Sequence, residues 1–193
     1  MKCLGSPGHF ICIIVRDILA QTMYIQRGGK KVEEQGFVIR GVTHDVNVAK
    51  IALLGVPDRP GIAHKLFSVL AAAHVDVDMI VQSIRNTGEN ITDIVFTVAK
   101  TDLPKAKTVV GEVGQELKVL GSIIDENVAK VSIVGAGMYG NPGIAAEMFG
   151  ALSQVGANIE VISTSEISVS CLIQVDKVKE AVNAIHDRFF PEK

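Results

Sequence analysis

The spacing of apolar positions along this chain changes from a strand pattern to a helix pattern, and the same change occurs twice. Alternating segments at 51–54 and 131–134 are typical of half-buried strands, and each is followed by a glycine. A loop containing Pro-Gly comes next, and then apolar residues recur at helical spacing. These helical positions are Ile62, Leu66, Val69 and Leu70 in the first copy and Ile144, Met148, Phe149 and Leu152 in the second. We predict that Pro60 and Pro142 lie in the first turn of their helices, where proline is tolerated.

Two more strands and a second helix follow in each copy. The elements predicted for the first copy are strands at 75–81, 91–98 and 122–125 and a helix at 103–117. Those predicted for the second copy are strands at 159–162 and 167–175 and a helix at 177–190. The order β-α-β-β-α-β is the ferredoxin-like split βαβ pattern. We therefore predict an α+β fold of two such modules, each an antiparallel sheet with helices on one face.

The two copies also share sequence. The segment 49–55 (AKIALLG) recurs as 129–135 (AKVSIVG). The tetrapeptide at 60–63 (PGIA) recurs unchanged at 142–145, after a connection that is slightly longer in the second copy. An identical tetrapeptide inside a matching frame indicates an internal duplication, with a short insertion between the two repeated segments.

The second copy lacks a fourth strand, because its last helix runs nearly to the C-terminus. A strand-like run at 37–43 precedes the first copy and has no partner of its own. We predict that this run completes the second module. The first module, at 48–126, is then inserted into the second, which consists of 37–43 plus 127–190. Residues 1–34 contain a Gly-Gly pair between basic residues and are left as an N-terminal extension or linker.

Composition narrows the classes of function. The chain has 193 residues, 48% of them hydrophobic, 5% aromatic and none of them Trp, with a net charge of −2. It has no basic tract, so we expect no nucleic-acid partner. Cys3, Cys12 and Cys171 lack metal-ligand spacing, so we predict no metal site and a reducing, cytoplasmic location. The longest apolar run near the start, 10–15, is too short to span a bilayer, and we expect no membrane association.

One loop imitates a nucleotide-binding motif. Gly135-Ala136-Gly137-Met138-Tyr139-Gly140 matches G-x-G-x-x-G, and Glu160 follows at the distance where a ribose-binding acid is sought. The Pro-Gly that follows delays the helix, the stretch from Glu160 to the C-terminus is too short for a doubly wound sheet, and the sister loop lacks the motif. A dinucleotide-binding enzyme remains one alternative, and a structural dimerisation module without a ligand remains another.

Other catalytic signatures do not occur in the sequence. The five His residues are scattered without ligand spacing, and neither a P-loop nor G-x-S-x-G is found. No base, nucleophile and orienting group come together. We predict no catalytic residue and no cofactor in this chain.

The two strand-to-helix loops favour a zwitterionic ligand instead. Each presents backbone N–H groups at a helix N-terminus, which suit a carboxylate. Asp58 in the first loop is placed either to take an ammonium group or to cap the helix that follows, and both interpretations stay open. Gln82 and Asn158, near second strands of the modules, can hydrogen-bond a polar side chain.

From about residue 33 to residue 190 the chain resembles the C-terminal regulatory region of aspartate kinases, which is built of two ACT modules. The matching segments are 38–42 (VIRGV), 58–61 (DRPG), 77–82 (VDMIVQ), 92–96 (TDIVF), 130–138 (KVSIVGAGM), 141–147 (NPGIAAE) and 162–167 (ISTSEI). The last three are the most specific. The resemblance implies feedback control of the first step from aspartate towards lysine, threonine and methionine. It also implies a catalytic aspartate kinase domain or subunit as partner, and a homodimer whose sheets join side by side.

The resemblance further implies where an effector binds. Threonine, and in many members lysine, lies between the first module of one chain and the second module of its partner. Carried over by position, this effector site uses Asp58, Gly61, Ile62, Ala63, Gln82, Asn158 and Ile159. A pseudo-symmetric second site uses Met138, Gly143, Ala145, Asp76 and Val77, with Ser165 and Glu166 nearby. We favour threonine, since a lysine side chain needs an additional carboxylate, for which Asp76, Asp78 and Glu160 are the candidates.

The sequence also departs from the aspartate kinase pattern. The family's N-terminal kinase domain, with its lysine- and glycine-rich nucleotide motif, is not found in these 193 residues. Phosphoryl transfer requires groups that position a nucleotide and a metal ion. We therefore predict that the chain alone does not phosphorylate aspartate, whether it is a separate regulatory subunit or an excised fragment.

Overall fold

The computed structural model of the chain describes residues 39–84, 90–136, 138 and 141–191. The chain divides into two units, residues 1–36 and 37–193, and all described residues belong to the second. The predictions for residues 1–34 and for residues 37–38 lie outside the described residues. The strands are β1 Ile39–Asp45, β2 Val48–Pro57, β3 Val77–Ile84, β4 Ile91–Ala99, β5 Gly121–Asp125, β6 Val128–Gly135, β7 Ile159–Thr164 and β8 Ser168–Gln174. The helices are α1 Ile62–Ala72, α2 Leu103–Leu117, α3 Ile144–Gln154 and α4 Val178–Phe189.

The strands form two antiparallel four-stranded sheets. The first has the order β3-β4-β2-β5 and the second the order β1-β6-β8-β7. The β-α-β-β-α-β order predicted from the duplication is confirmed. Strand β1 precedes the first sheet in sequence but pairs with β6 of the second, with Val42 opposite Ile133 and His44 opposite Val131. This pairing supports the division into 48–126 and 37–43 plus 127–190, which we keep as a proposal.

The core of the first module lies between its sheet and its two helices. Alternate residues of β2, Ala49, Ile51 and Leu53, are fully buried and pack with Leu66 and Leu70 of α1. Burying one face of each strand and one stripe of each helix is what the alternating and helical patterns require. The largest fully buried side chain of this core is Phe96 of β4.

The start of β3 differs from the sequence prediction. The strand begins at Val77 rather than at residue 75, because the Val75 N–H donates to the Leu70 carbonyl oxygen at 3.0 Å and so closes the end of α1. Val75 is buried in the core as part of this connection. The sequence pattern thus placed the start of this strand two residues too early, because Val75 is apolar and buried like a strand residue.

The second module repeats this packing with different side chains. Alternate residues of β6, Ala129, Val131 and Ile133, are fully buried against Met148 of α3 and Ile185 of α4. Ile39 of β1 belongs to the same cluster. The cluster also contains the thiol of Cys171 on β8, and sequence analysis assigned no role to this residue.

We expect Cys171 to resist alkylation in the native protein. Burial raises the pKa of its thiol from the ordinary value of 9.0 to about 12. Because the thiolate is the reactive species, iodoacetamide at about pH 8 should modify Cys171 only after the chain is unfolded in urea. Peptide mass spectrometry separates this site from Cys3 and Cys12. Equal labelling of Cys171 in the native and unfolded chains would contradict the burial.

The same shift predicts a pH dependence of stability. An unfolded thiol ionises near pH 9, whereas the folded one keeps its proton until about pH 12. Between these values the unfolded state binds fewer protons than the native state. The contribution of Cys171 is therefore present at neutral pH and is lost as pH rises through that window.

A third, smaller cluster joins the two modules. Val48 and Met79 of the first sheet pack with Val128, Val161 and Leu172 of the second. Val48, Val128 and Leu172 alternate with core residues of their strands and so lie on the sides of the sheets that face away from the helices. Met79 and Val161 reach the same sides through register shifts near the starts of β3 and β7. The two sheets thus meet through a small apolar contact whose members all lie on strands.

Candidate functional site

The loop between β2 and α1 is shaped by a bulge at the end of the strand. The pairing of β2 with β4 shifts register between Leu53 and Val56. The intervening Gly55 has φ +62°, a region that glycine enters without steric cost. The Gly55 N–H donates to Asp93 Oδ1 of β4 at 2.8 Å. This bond fixes the strand end from which Asp58 and the rest of the loop project.

Both helices that follow these loops start at a glycine in the left-handed region. Gly61 has φ +93° and Gly143 has φ +106°, and no side chain caps either helix. The prediction that Pro60 and Pro142 lie in the first helical turn is therefore wrong. The helices begin two residues later because only glycine accepts the turn between proline and helix.

The same geometry bears on the two interpretations of Asp58. Its carboxylate makes no capping hydrogen bond to α1. Its backbone N–H donates to the Asn90 carbonyl oxygen at 2.8 Å, which ties the loop to the start of β4. The structure thus gives no support to the helix-capping role, and no side chain caps the first N–H groups of α1. A helix N-terminus of this kind carries partial positive charge and suits an anion.

A cavity of about 350 Å³ lies at this helix start. Its wall contains five of the seven residues expected in the effector site: Asp58, Gly61, Ile62, Ala63 and Gln82. We call it the first-module cavity. Arg59, Thr92 and Ile94 also line it and were not predicted. Arg59 lies within the DRPG segment and could have been predicted from it. Thr92 and Ile94 reach the cavity through the pairing of β4 with β2 and β3.

The remaining two residues of the expected site lie elsewhere in the chain. Asn158 and Ile159 line a cavity of about 410 Å³ at the end of α3, together with Phe149, Ser153, Gly156 and Ala157. A single chain therefore splits the expected effector residues between its two modules. The expected site, in which two chains contribute, requires a second copy to bring them together.

The second predicted site is also divided. Met138, Gly143, Ala145, Ser165 and Glu166 line one cavity of about 400 Å³ beside the start of α3. Asp76 and Val77 do not line it. Val77 is the first residue of β3 in the first module, and Asp76 precedes it. Asn141 and Thr164, which belong to the matching segments 141–147 and 162–167 but were not predicted as site residues, also form part of its wall.

The structure around the G-x-G-x-x-G match at 135–140 is not that of a dinucleotide-binding fold. Gly135 ends β6, and α3 starts only at Ile144, while Gly137, Tyr139 and Gly140 lie outside the described residues. The sheets are antiparallel, whereas a dinucleotide fold needs parallel strands. The Glu160 carboxylate, the candidate for a ribose-binding acid in this alternative, instead pairs with Lys50 and accepts a hydrogen bond from Gln174.

Neither a metal site nor a membrane-spanning helix is found in the described residues. Across the described ranges, no group of three or more His, Cys, Asp or Glu side chains is placed to hold a metal ion. In the part of the chain that the structure describes, no helix is both long and apolar enough to cross a membrane.

We expect Gly61→Ala to destabilise the protein by about 1–2 kcal/mol. A Cβ at this position meets no atom within 4 Å, so the cost comes from the positive φ alone. Gly150→Ala is the matched control, because Gly150 lies within α3 and a Cβ there also meets nothing within 4 Å. Alanine at that helical position should stabilise by about 0.5–1 kcal/mol. Urea unfolding followed by circular dichroism measures both, and two changes of the same sign would contradict the account.

Comparison with known proteins agrees with this architecture. Family models described as ACT domain match residues 50–115 and 131–189. An aspartokinase from Corynebacterium efficiens is 41% identical over 152 residues, which cover 79% of this chain and 36% of that protein. Two solved structures are also similar. The regulatory subunit of aspartate kinase from Thermus thermophilus has a TM-score of 0.74 and 38% identity, over 79% of this chain and 99% of that one. A structure of aspartokinase alpha and beta subunits has a TM-score of 0.72 and 37% identity, over 78% and 98%.

The two matches and the repeated sheet-and-helix modules define a tandem ACT-domain protein. The chain belongs to the family of aspartate kinase regulatory subunits and regions. It spans about a third of the length of the curated aspartokinases that it matches, 36% of the Corynebacterium protein. The Thermus thermophilus chain that it matches over nearly its whole length is a regulatory subunit.

Proposed function

We propose that this chain is the allosteric effector-binding part of an aspartate kinase and that it senses threonine, lysine or both for feedback control. The observation that carries the proposal is the first-module cavity. It combines an uncapped helix N-terminus with the Asp58 carboxylate and the Gln82 amide. A free amino acid offers a group to match each of these three.

The expected binding mode follows from charge and hydrogen bonding. The α-carboxylate of the ligand lies at the first N–H groups of α1, where the helix dipole favours negative charge. The ammonium group pairs with Asp58, and the ligand side chain hydrogen-bonds Gln82. In the dimer we expect Asn158 and Ile159 of the second chain to close the site. The ligand then stabilises one arrangement of the modules, to which the catalytic part responds.

Two ion pairs favour threonine over lysine in this site. Lysine requires a further carboxylate for its side-chain ammonium, and Asp76, Asp78 and Glu160 were the candidates. Asp78 is paired with Lys130, and Glu160 is paired with Lys50. These two carboxylates are thus already engaged by cations, whereas threonine needs only an amide partner such as Gln82.

The edge strands support the proposed homodimer. Ile80 on β3 and Ile162 on β7 hold corresponding positions in the two modules and are 51% and 44% exposed. Each lies on the edge strand of its sheet, which leaves backbone groups open to pairing with a second chain. We propose that these edges join sheets side by side. The solved structure of aspartokinase alpha and beta subunits supports a catalytic partner as well. A cytoplasmic location stays a prediction.

We expect Asp58→Ala to weaken threonine binding about 10- to 100-fold without unfolding the chain. The substitution removes a charge-assisted hydrogen bond, for which about 1.5–3 kcal/mol is typical. Gln82→Ala removes a neutral one and should weaken binding about 2- to 10-fold. Isothermal titration of the purified chain measures both. Asp187→Ala on α4 is the control, because Asp187 is exposed and lines no cavity described above. Unchanged affinity in Asp58→Ala would contradict the proposal.

A further inference from the structure

Two ion pairs cross between the modules, and the duplication relates them. Lys50 of β2 pairs with Glu160 of β7, and Lys130 of β6 pairs with Asp78 of β3. The two lysines hold the same position in the repeated segments 49–55 and 129–135, and the two acids are offset along the chain as the two PGIA tetrapeptides are. Each pair joins the first strand of one module to the second strand of the other. The contact therefore has pseudo-twofold symmetry.

The Lys50–Glu160 pair connects two segments that carry expected effector residues. Glu160 directly follows Asn158 and Ile159 along the chain. Lys50 lies on β2, the strand that ends in the loop with Asp58. Within one chain, the pair thus links two segments that belong to different effector sites. One is the segment with Asn158 and Ile159, and the other is β2, which leads into the Asp58 loop. In the proposed dimer these two segments serve different ligand molecules.

The surroundings of this pair restrict its movement. The side chains of Lys50 and Glu160 are only 18% and 13% exposed. Glu160 also accepts a hydrogen bond from Gln174 Nε2, and Lys50 Nζ lies 3.8 Å from an oxygen of Asp125. Partly buried charges are screened less by salt than exposed ones. By contrast, Asp78 in the other pair is 56% exposed. We therefore expect the Lys50–Glu160 pair to couple the movements of the two modules more strongly than the Lys130–Asp78 pair does.

We propose that Lys50 and Glu160 are positioning residues that couple the two effector sites of the dimer. They do not touch the ligand. Ligand bound at Asn158 of one chain fixes the start of β7, and Glu160 passes this restraint through Lys50 to β2 and the Asp58 loop of the same chain. That loop belongs to the second site, so binding at the two sites is cooperative. The inference rests on the proposed function and on the proposed dimer.

The test with ligand compares cooperativity among matched variants of the dimer formed by this 193-residue chain. Threonine is titrated into the wild type, Lys50→Met, Glu160→Gln and the charge-exchanged pair Lys50→Glu/Glu160→Lys. Wild type should bind cooperatively, and either single variant should reduce the affinity ratio between the sites about 2- to 30-fold. The exchanged pair should restore part of it. Lys177→Met is the control, because it breaks an exposed ion pair with Glu180 on α4. Non-cooperative wild-type binding, binding by a monomer, or equal cooperativity in all variants would overturn the proposal.

A second measurement without ligand separates this inference from the proposed function. Glu160→Gln alters only the second module, yet it should speed amide hydrogen exchange at residues 58–63 of the first module about 2- to 30-fold. If exchange changes there but neither threonine nor lysine binds, the coupling stands and the proposed function fails. If an amino acid binds but exchange at 58–63 is unchanged, the coupling fails and the function stands.

Discussion

Replacing Phe96 with alanine is expected to lower the free energy of unfolding by about 3–5 kcal/mol. Phe96 is buried at the middle of β4, and its ring meets that of Phe67 on α1 edge-on, with centroids 5.6 Å apart. The substitution removes transfer free energy and the aromatic contact, and it leaves a cavity between sheet and helix. The loss is a large part of the roughly 5–15 kcal/mol that stabilises a typical domain.

Urea unfolding followed by circular dichroism tests this expectation. Val46→Ala is the matched surface control, because Val46 is 47% exposed between β1 and β2. Its effect should stay within about 0.5 kcal/mol. Amide exchange in Phe96→Ala should increase mainly in β2, β3 and β4. A loss below about 1 kcal/mol would mean that β4 does not anchor the first core.

Leu172→Ala is expected to cost about 2–5 kcal/mol and to loosen both modules at once. Leu172 of β8 is fully buried in the small cluster that joins the sheets, where it packs with Val48, Met79, Val128 and Val161. Truncating it removes packing from the contact between the modules rather than from either helix layer. Hydrogen exchange should therefore increase in both sheets, in contrast to Phe96→Ala.

The control for this substitution is Ile167→Ala. Ile167 precedes β8 and is largely exposed, so its truncation should leave stability nearly unchanged. Hydrogen exchange with mass spectrometry measures the two sheets separately. If Leu172→Ala increased exchange in the second sheet alone, the cluster would not hold the modules together.

Much of the fold was predictable because the chain contains an internal duplication, so that each copy could be compared with the other. The duplicated segments established the order of elements, and α2 was predicted with the bounds observed, Leu103–Leu117. Strand β1 was expected beside the second module for a simple reason. One copy lacked a strand, and one strand lacked a partner. Because an unpaired hydrophobic edge strand is unfavourable, the strand without a partner was expected to supply the strand that the second module lacked.

Local backbone conformation was harder to predict. Proline is common in the first turn of a helix, and this preference misplaced the starts of α1 and α3 by two residues. Gly61 and Gly143 have left-handed φ values, so each helix begins only after its glycine. A Pro-Gly sequence is compatible both with the first turn of a helix and with a turn that precedes one. Likewise, periodicity does not distinguish the buried connection at Val75 from a strand.

The candidate site was predictable only in part. The loop residues Asp58 to Ala63 were found because they are adjacent in sequence, and they line one cavity with Gln82. Thr92 and Ile94 join them through strand pairing, which a single sequence does not specify. The ion pair of Lys50 with Glu160 joins residues far apart in the chain and depends on how the modules meet. Contacts of that kind follow from tertiary packing rather than from local pattern.

The most direct test of the regulatory account is isothermal titration of the purified chain with threonine and then lysine, with serine as control. Light scattering should report the mass of the same sample. We predict saturable heat from threonine, lysine or both on a dimeric chain, and none from serine. If neither threonine nor lysine gave saturable heat while the chain was folded and dimeric, effector binding would be contradicted. A dimerisation module without a ligand would then be favoured.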